Sequence, residues 1–346
     1  MSERHALVQA RGLSRSFVTG RSRWSRGLLP AVREISLEIQ EGETLGVVGE
    51  SGSGKSTLGR LLLRLLVPTS GQVLFDGHDL AQLSRSELQR LRRQMQIVFQ
   101  DPAGSLDPRF RVRDLVAEGI DIHGLASGAE RSRIVDRLLE EVGLSAAHGG
   151  RFSHEFSGGQ RQRIGIARAL AVSPRFVVLD EPVSALDVSV QAQVLNLLAD
   201  LQADRRLAYF FVAHDLRVVA HFSSRIAVLY LGRIVELADR DVLLDRPGHP
   251  YTQSLLSAVA EIGTTDESRI RLSGEIPSPM EPPSGCAFHP RCPYAVERCR
   301  QEEPQLARTG EGHAIACHFP LESSSVAPEP TTGQDVGEKE PEERSR

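Results

Sequence analysis

Thr44-Leu45-Gly46-Val47-Val48-Gly49-Glu50-Ser51-Gly52-Ser53-Gly54-Lys55-Ser56-Thr57 runs from a short apolar strand through a glycine-rich turn into a helical pattern that continues from Lys55 through Leu66. Strand, loop and helix in that order are the context a phosphate-binding loop requires. Glycines let the main chain wrap phosphates with its N–H groups pointing inward. Lys55 can then reach the β- and γ-phosphates, and the Ser56 hydroxyl can ligate Mg²⁺. The minimal pattern arises by chance in roughly one sequence of this length in a hundred, and the flanking strand and helix make chance weaker still.

Two further apolar strands are predicted, and both end in polar residues. Phe176-Val177-Val178-Leu179 runs into Asp180-Glu181, and Ala208 to Ala213 runs into His214-Asp215. Continuous apolar strands of this kind imply a parallel sheet covered by helices, with the site along the carboxyl edge. Asp180 can hold a metal through water, and Glu181 can polarise an attacking water. Ser157-Gly158-Gly159-Gln160 opens an amphipathic helix through Leu170. Its first-turn N–H groups form an anion site at the positive end of the helix dipole.

Residues 5–20 and 31–40 alternate apolar and polar side chains, the period of half-buried strands, so the chain opens with an antiparallel unit. Arg21 to Leu29, around the single Trp24, is predicted to be a solvated loop. Residues 85–170 read as mainly helical, an inserted lobe. Prolines accumulate after about residue 245 (Pro247, Pro250, Pro277, Pro279, Pro282, Pro283) and mark an irregular extension. Residues 322–346 hold almost no bulky apolar side chains and are predicted to be disordered. With 346 residues, 40% hydrophobic and 25% charged, the chain has material for a large core. Lys+Arg 41 against Asp+Glu 45 leaves −4, which gives no electrostatic reason to bind nucleic acid. No apolar run approaches the roughly 18 residues of a membrane span, and no export signal opens the chain, so a cytoplasmic location is expected.

Taken together, these motifs resemble the nucleotide-binding subunit of an ABC transporter over about residues 5–320. The resemblance implies an α/β fold with a RecA-like parallel-sheet core, an antiparallel β subdomain and a helical subdomain at about 101–170. It also implies ATP and Mg²⁺ at residues 49–57 and Asp180. Phe17 stands where the family stacks an aromatic on adenine, Gln100 where its glutamine contacts metal and membrane subunits, and His214 where its histidine meets the γ-phosphate. Ser157 to Gln160 resembles the signature loop, with Phe156 where many cassettes have leucine. Ser184-Ala185-Leu186-Asp187 resembles the loop linking two sites across a dimer. In the family two cassettes pack head to tail, so the signature residues act on the partner's ATP. Lys55, Glu181, Gln100 and His214 are all present, as a hydrolysing cassette requires.

Phe99-Gln100-Asp101-Pro102, Ser105-Leu106-Asp107-Pro108, Glu181 to Gln191 and His249-Pro250-Tyr251-Thr252 resemble, more narrowly, the F-type ATP-binding subunit of bacterial dipeptide and oligopeptide importers. That resemblance implies a nucleotide-binding domain at 5–245 and a C-terminal extension at 246–320. Its partners would be a second and different ATP-binding subunit, two transmembrane permease subunits and an extracytoplasmic solute-binding protein, on the cytoplasmic face of the inner membrane. Nickel and other small-solute importers share the pattern. Soluble ABC proteins acting on nucleic acid or ribosomes commonly carry two cassettes, whereas here there is one phosphate loop. The 4 cysteines, Cys286, Cys292, Cys299 and Cys317, all lie in the extension and include no CxxC pair. Spacing leaves metal, disulfide and free thiols open. The importer family implies a [4Fe–4S] cluster on these thiolates, with Zn²⁺ as the alternative.

Overall fold

The computed structural model describes residues 6–19, 27–259, 274–310 and 312–321. Trp24 and the predicted disordered tail lie outside them.

Ala6–Thr19 (β1) and Gly27–Gln40 (β2) pair antiparallel from Ala6↔Gln40 to Thr19↔Gly27. Their apolar alternation buries Val8, Ala10, Leu13, Ile35, Leu37 and Ile39 on one face. Thr44–Val48 (β3) follows, buried throughout, and leads through the loop into Lys55–Leu62 (α1). Ser70–Phe75 (β4) and His78–Asp79 (β5) return to the first sheet, whose order is β2-β1-β4-β5.

After Arg85–Arg92 (α2) come Met95–Val98 (β6) and the helices Pro102–Ser105 (α3), Val112–His123 (α4), Gly128–Glu141 (α5) and Gly158–Leu170 (α6). The chain then alternates Phe176–Asp180 (β7), Val188–Arg205 (α7), Ala208–Val212 (β8), Leu216–Phe222 (α8), Arg225–Tyr230 (β9), Arg233–Asp239 (β10) and Arg240–Asp245 (α9). Pro250–Val259 (α10), Glu297–Gln301 (α11), Ala307–Gly310 (β11) and His313–Ile315 (β12) complete it. The second sheet has eight strands in the order β11-β12-β10-β9-β3-β8-β7-β6, and β9 through β6 run parallel.

Period-two alternation divides the parallel strands between two cores. Val47, Phe176, Val178, Phe210, Val212 and Leu229 pack on α1 through Leu58, Leu61 and Leu62, together with the antiparallel sheet. Val48, Val177, Leu179, Phe211 and Val228 face the opposite side, continuous with the apolar stripes of α4, α5 and α6.

Three sequence expectations are revised. The first helix ends at Leu62 rather than Leu66. Arg64 takes a left-handed φ of 54°, Pro68 disfavours helix at the preceding residue, and Leu65 and Val67 are exposed, so the apolar run outlasts the helix. The segment 85–170 is interrupted by β6, a four-residue edge strand parallel to β7 that is too short to impose its period. The proline-rich extension is more regular than expected, since β12 pairs with β10 and extends the main sheet. Buried Glu236 on β10 secures this junction, accepting hydrogen bonds from the N–H groups of Gly248 (2.7 Å) and His249 (2.9 Å) and contacting His313 Nε2 at 2.7 Å. Among the described residues no helix is long and apolar enough to cross a membrane.

Leu58 is fully buried where α1 meets the sheet. Leu58→Ala is expected to cost about 2–5 kcal/mol, read as a lower urea midpoint at unchanged m-value.

Candidate active site

The loop is shaped by main-chain constraints. Gly49, Gly52 and Gly54 have φ of 151°, 78° and 104°, and a Cβ on Gly54 would stand 2.1 Å from the Ala31 carbonyl oxygen. The left-handed backbone and the close approach to β2 both demand glycine there. Lys55 is buried, and its Nζ donates to the carbonyls of Gly49 (2.7 Å) and Glu50 (3.0 Å), closing the loop on itself. Burial pushes the Lys55 ammonium below its usual range, while Glu181, Asp180 and Glu50 oppose that shift.

The carboxyl ends of the parallel strands bring the acids to this loop. Ser56 Oγ donates to Asp180 Oδ1 at 2.6 Å, joining α1 to the end of β7. Glu181 follows with φ +48°, an uncommon conformation for a non-glycine residue. Gln100 Nε2, just past β6, donates to Glu181 Oε2 at 3.0 Å, and His214 Nδ1, just past β8, lies 3.8 Å from that same oxygen. Four segments distant in sequence thus converge on two carboxylates. Hydroxyl, amide and carboxylate oxygens are the hard donors that Mg²⁺ takes, so Ser56, Gln100 and Asp180 fit that ion. Phe17 is half-buried on β1 opposite Leu29 of β2, with the Arg15 guanidinium 4.8 Å over its ring.

Ser157, Gly158, Gly159, Gln160 and Asp187 form a separate cluster. Ser157 and Gln160 close a capping box on α6 (Gln160 N–H to Ser157 Oγ, 3.3 Å; Ser157 N–H to Gln160 Oε1, 3.0 Å). A Cβ on Gly159 would meet Val190 Cγ1 at 2.4 Å, so glycine is needed there for α6 to lie against α7. Asp187 caps α7, accepting from Val190 N–H and Ser189 Oγ, and these bonds hold its carboxyl below its usual range. The hydrogen bonds described for these residues stay within the first turns of α6 and α7. Phe156 is buried between the Arg151 guanidinium and the edge of the His148 ring, a packing role that explains an aromatic there.

The 4 cysteines are free thiols that line one small pocket with His249, Phe288, His289 and His318. Burial raises the thiols of Cys286, Cys292 and Cys317, the last two to about 11. Among the described residues no three His, Cys, Asp or Glu groups stand close enough to hold a metal ion. Expected as a metal site, the set therefore fails the test for one Zn²⁺, whose ligand sulfurs must all lie at about 2.3 Å from a single centre.

A parallel sheet whose carboxyl edge carries a glycine loop, a Ser–Asp pair and a Glu–Gln–His set is suited to binding and hydrolysing a nucleoside triphosphate. Residues 32–184 match the ABC transporter family, and residues 235–299 match the oligopeptide/dipeptide transporter C-terminal region, which takes in Cys286, Cys292 and Cys299. The chain is 49% identical over 332 residues to "Probable peptide ABC transporter ATP-binding protein y4tS" of Sinorhizobium fredii, with 93% of each chain covered. It is 50% identical to "Oligopeptide transport ATP-binding protein AppF" of Bacillus subtilis, covering 85% of this chain and 90% of that one. Among solved structures, the ATP-binding cassette MJ0796, a dimer bound to ADP and Pi, matches with TM-score 0.60 and 30% identity over 67% of this chain and 98% of that one. The fold is also that of cbiO1 from Clostridium perfringens, with TM-score 0.61 and 23% identity over 76% of this chain and 97% of that one. The chain belongs to the ATP-binding proteins of peptide ABC transporters.

Sequence reasoning missed Tyr251 and Arg291 as neighbours of the loop. Tyr251 Oη accepts the Glu50 N–H at 2.9 Å, and Arg291 pairs with the Glu50 carboxylate. No local pattern links positions so far apart. Gly54→Ala, which forces a Cβ against Ala31, is expected to abolish ATP binding in an equilibrium titration.

Proposed function

We propose that this chain is the ATP-hydrolysing subunit that energises import of di- and oligopeptides, working at the cytoplasmic face of the inner membrane. The carrying observation is Glu181 at the carboxyl end of β7, bonded to Gln100 and neighboured by His214, beside a loop closed by Lys55. On this reading residues 49–57 hold the phosphates, Lys55 meets the β- and γ-phosphates and Phe17 stacks on adenine. Ser56 and Gln100 would ligate Mg²⁺, with Asp180 holding it through water; bound there, the ion neutralises phosphate charge. Glu181 accepts the proton of the attacking water, and His214 contacts the γ-phosphate. Residues near Gln100 pass the motion to the transmembrane subunits.

Ser157 to Gln160, clustered apart from the loop, act on the ATP of a partner cassette in a head-to-tail dimer, and Ser184 to Asp187 form the loop that links the two sites across it. We take that partner to be a different chain, since the resemblance is to the F-type subunit. Two permease subunits and an extracytoplasmic solute-binding protein complete the assembly. The division into residues 5–245 for nucleotide and 246–320 for the extension belongs to this reading. The similar chains are named for peptide transport, which favours peptide over nickel, and none of those reported is named for nucleic acid. A [4Fe–4S] cluster on Cys286, Cys292, Cys299 and Cys317, which line one pocket, belongs to this reading through the resemblance to peptide importers.

Glu181→Gln is expected to lower ATP turnover about a hundredfold or more while ATP binding persists and a dimer accumulates on size exclusion. Cells relying on this variant are expected to lose labelled-peptide uptake. Unchanged turnover would remove Glu181 as the base, and lost turnover with intact peptide uptake would redirect the cargo. Anaerobically purified protein is expected to be brown, with about four irons per chain; colourless, zinc-loaded protein would overturn the cluster.

A further inference from the structure

Glu50 is the one acid within Gly49–Thr57, a loop otherwise suited to a polyanion. Its carboxylate is held by Arg291 in a two-pronged pair, Nη1 to Oε2 at 2.7 Å and Nη2 to Oε1 at 2.9 Å. This is the fork geometry that makes Arg–carboxylate bonds strong and directional. Arg291 lies 241 residues downstream in the extension, immediately before Cys292. Its side chain is only 6% exposed, against 25% for Glu50.

The rest of Glu50 is equally committed. Its N–H donates to Tyr251 Oη at 2.9 Å, and its carbonyl accepts from Lys55 Nζ at 3.0 Å. The Phe288 ring packs on Tyr230 and Tyr251 at 5.3 and 5.4 Å between centroids, and Tyr230 Oη lies 3.5 Å from Arg291 Nη1. One aromatic cluster therefore carries the main-chain anchor of Glu50 and packs around its counter-ion, and both come from the C-terminal side of the chain.

We propose that Arg291 is a positioning residue of the ATP site: it cancels the Glu50 charge and pins the loop, so that the cysteine-bearing extension is energetically coupled to nucleotide binding. This rests on the assignment of the loop to ATP. Without the guanidinium, the Glu50 carboxylate is left in the field of Lys55, the same ammonium the triphosphate needs, and repels the phosphates beside it. Binding affinity is then lost rather than chemistry, because Arg291 contacts neither Glu181 nor His214. Linkage is reciprocal, so ATP in turn favours the docked state of the extension.

The test uses the full chain with Mg-ATP, measuring Kd by equilibrium titration and KM and kcat by steady-state hydrolysis. Arg291→Met is expected to weaken ATP binding about tenfold and raise KM alike, with kcat within about twofold. Arg291→Lys, which keeps the charge, recovers most of the affinity. Glu50→Gln added to Arg291→Met recovers it as well, because the uncompensated charge is gone. A purely structural anchor would not be rescued by removing its partner. Wild-type affinity in Arg291→Met, or no recovery in the double variant, overturns the proposal. Should Arg291→Met not fold, Arg291→Gln carries the same expectation. Absence of ATP binding by the wild-type chain would instead refute the loop assignment itself.

Discussion

The nucleotide-facing edge depends on burying α1 against the parallel sheet. A helix of eight residues is marginal by itself, and here Leu58, Leu61 and Leu62 are fully buried under β3, β7 and β8. That burial fixes the axis on which the first-turn N–H groups point, and the closure of Lys55 on Gly49 and Glu50 follows from it. The Ser56–Asp180 bond then locks helix and sheet together beside the glycine-rich loop.

Parallel pairing supplies the second requirement. Because β6, β7 and β8 all point the same way, Gln100, Glu181 and His214 leave the sheet on one edge although more than a hundred residues separate the first from the last. The left-handed φ of Glu181 is local strain held in place by its neighbours: its N–H donates to the Val212 carbonyl at 3.0 Å, and its carboxylate is held by Gln100. Ser157 to Gln160 and Asp187 are turned to capping and helix packing within one chain.

The extension is tied to the cassette at two places. Glu236 gathers Gly248, His249 and His313 on β10, inside the main sheet, and Glu50 gathers Tyr251 and Arg291 at the loop. Both ties fasten a glutamate of the cassette to residues after 245, Glu236 through its carboxylate and Glu50 through both its carboxylate and its main-chain N–H.

The phosphate loop, the acids ending two apolar strands and the Ser-Gly-Gly helix start were all legible in the sequence. Each is a local pattern in which backbone geometry or strand period restricts residue type over a few positions. The end of α1 was not legible, because the apolar run continues through Leu65 and Val67 after the hydrogen-bonded turns stop. Nor was β6, whose four residues are recognisable as a strand only beside β7. The joining of β12 to β10 and the pairing of Arg291 with Glu50 depend on segments brought together by sheet closure. A side chain's sequence neighbours do not encode its partner 241 residues away; only the packed tertiary structure, in which burial makes an unpaired charge costly, decides that contact.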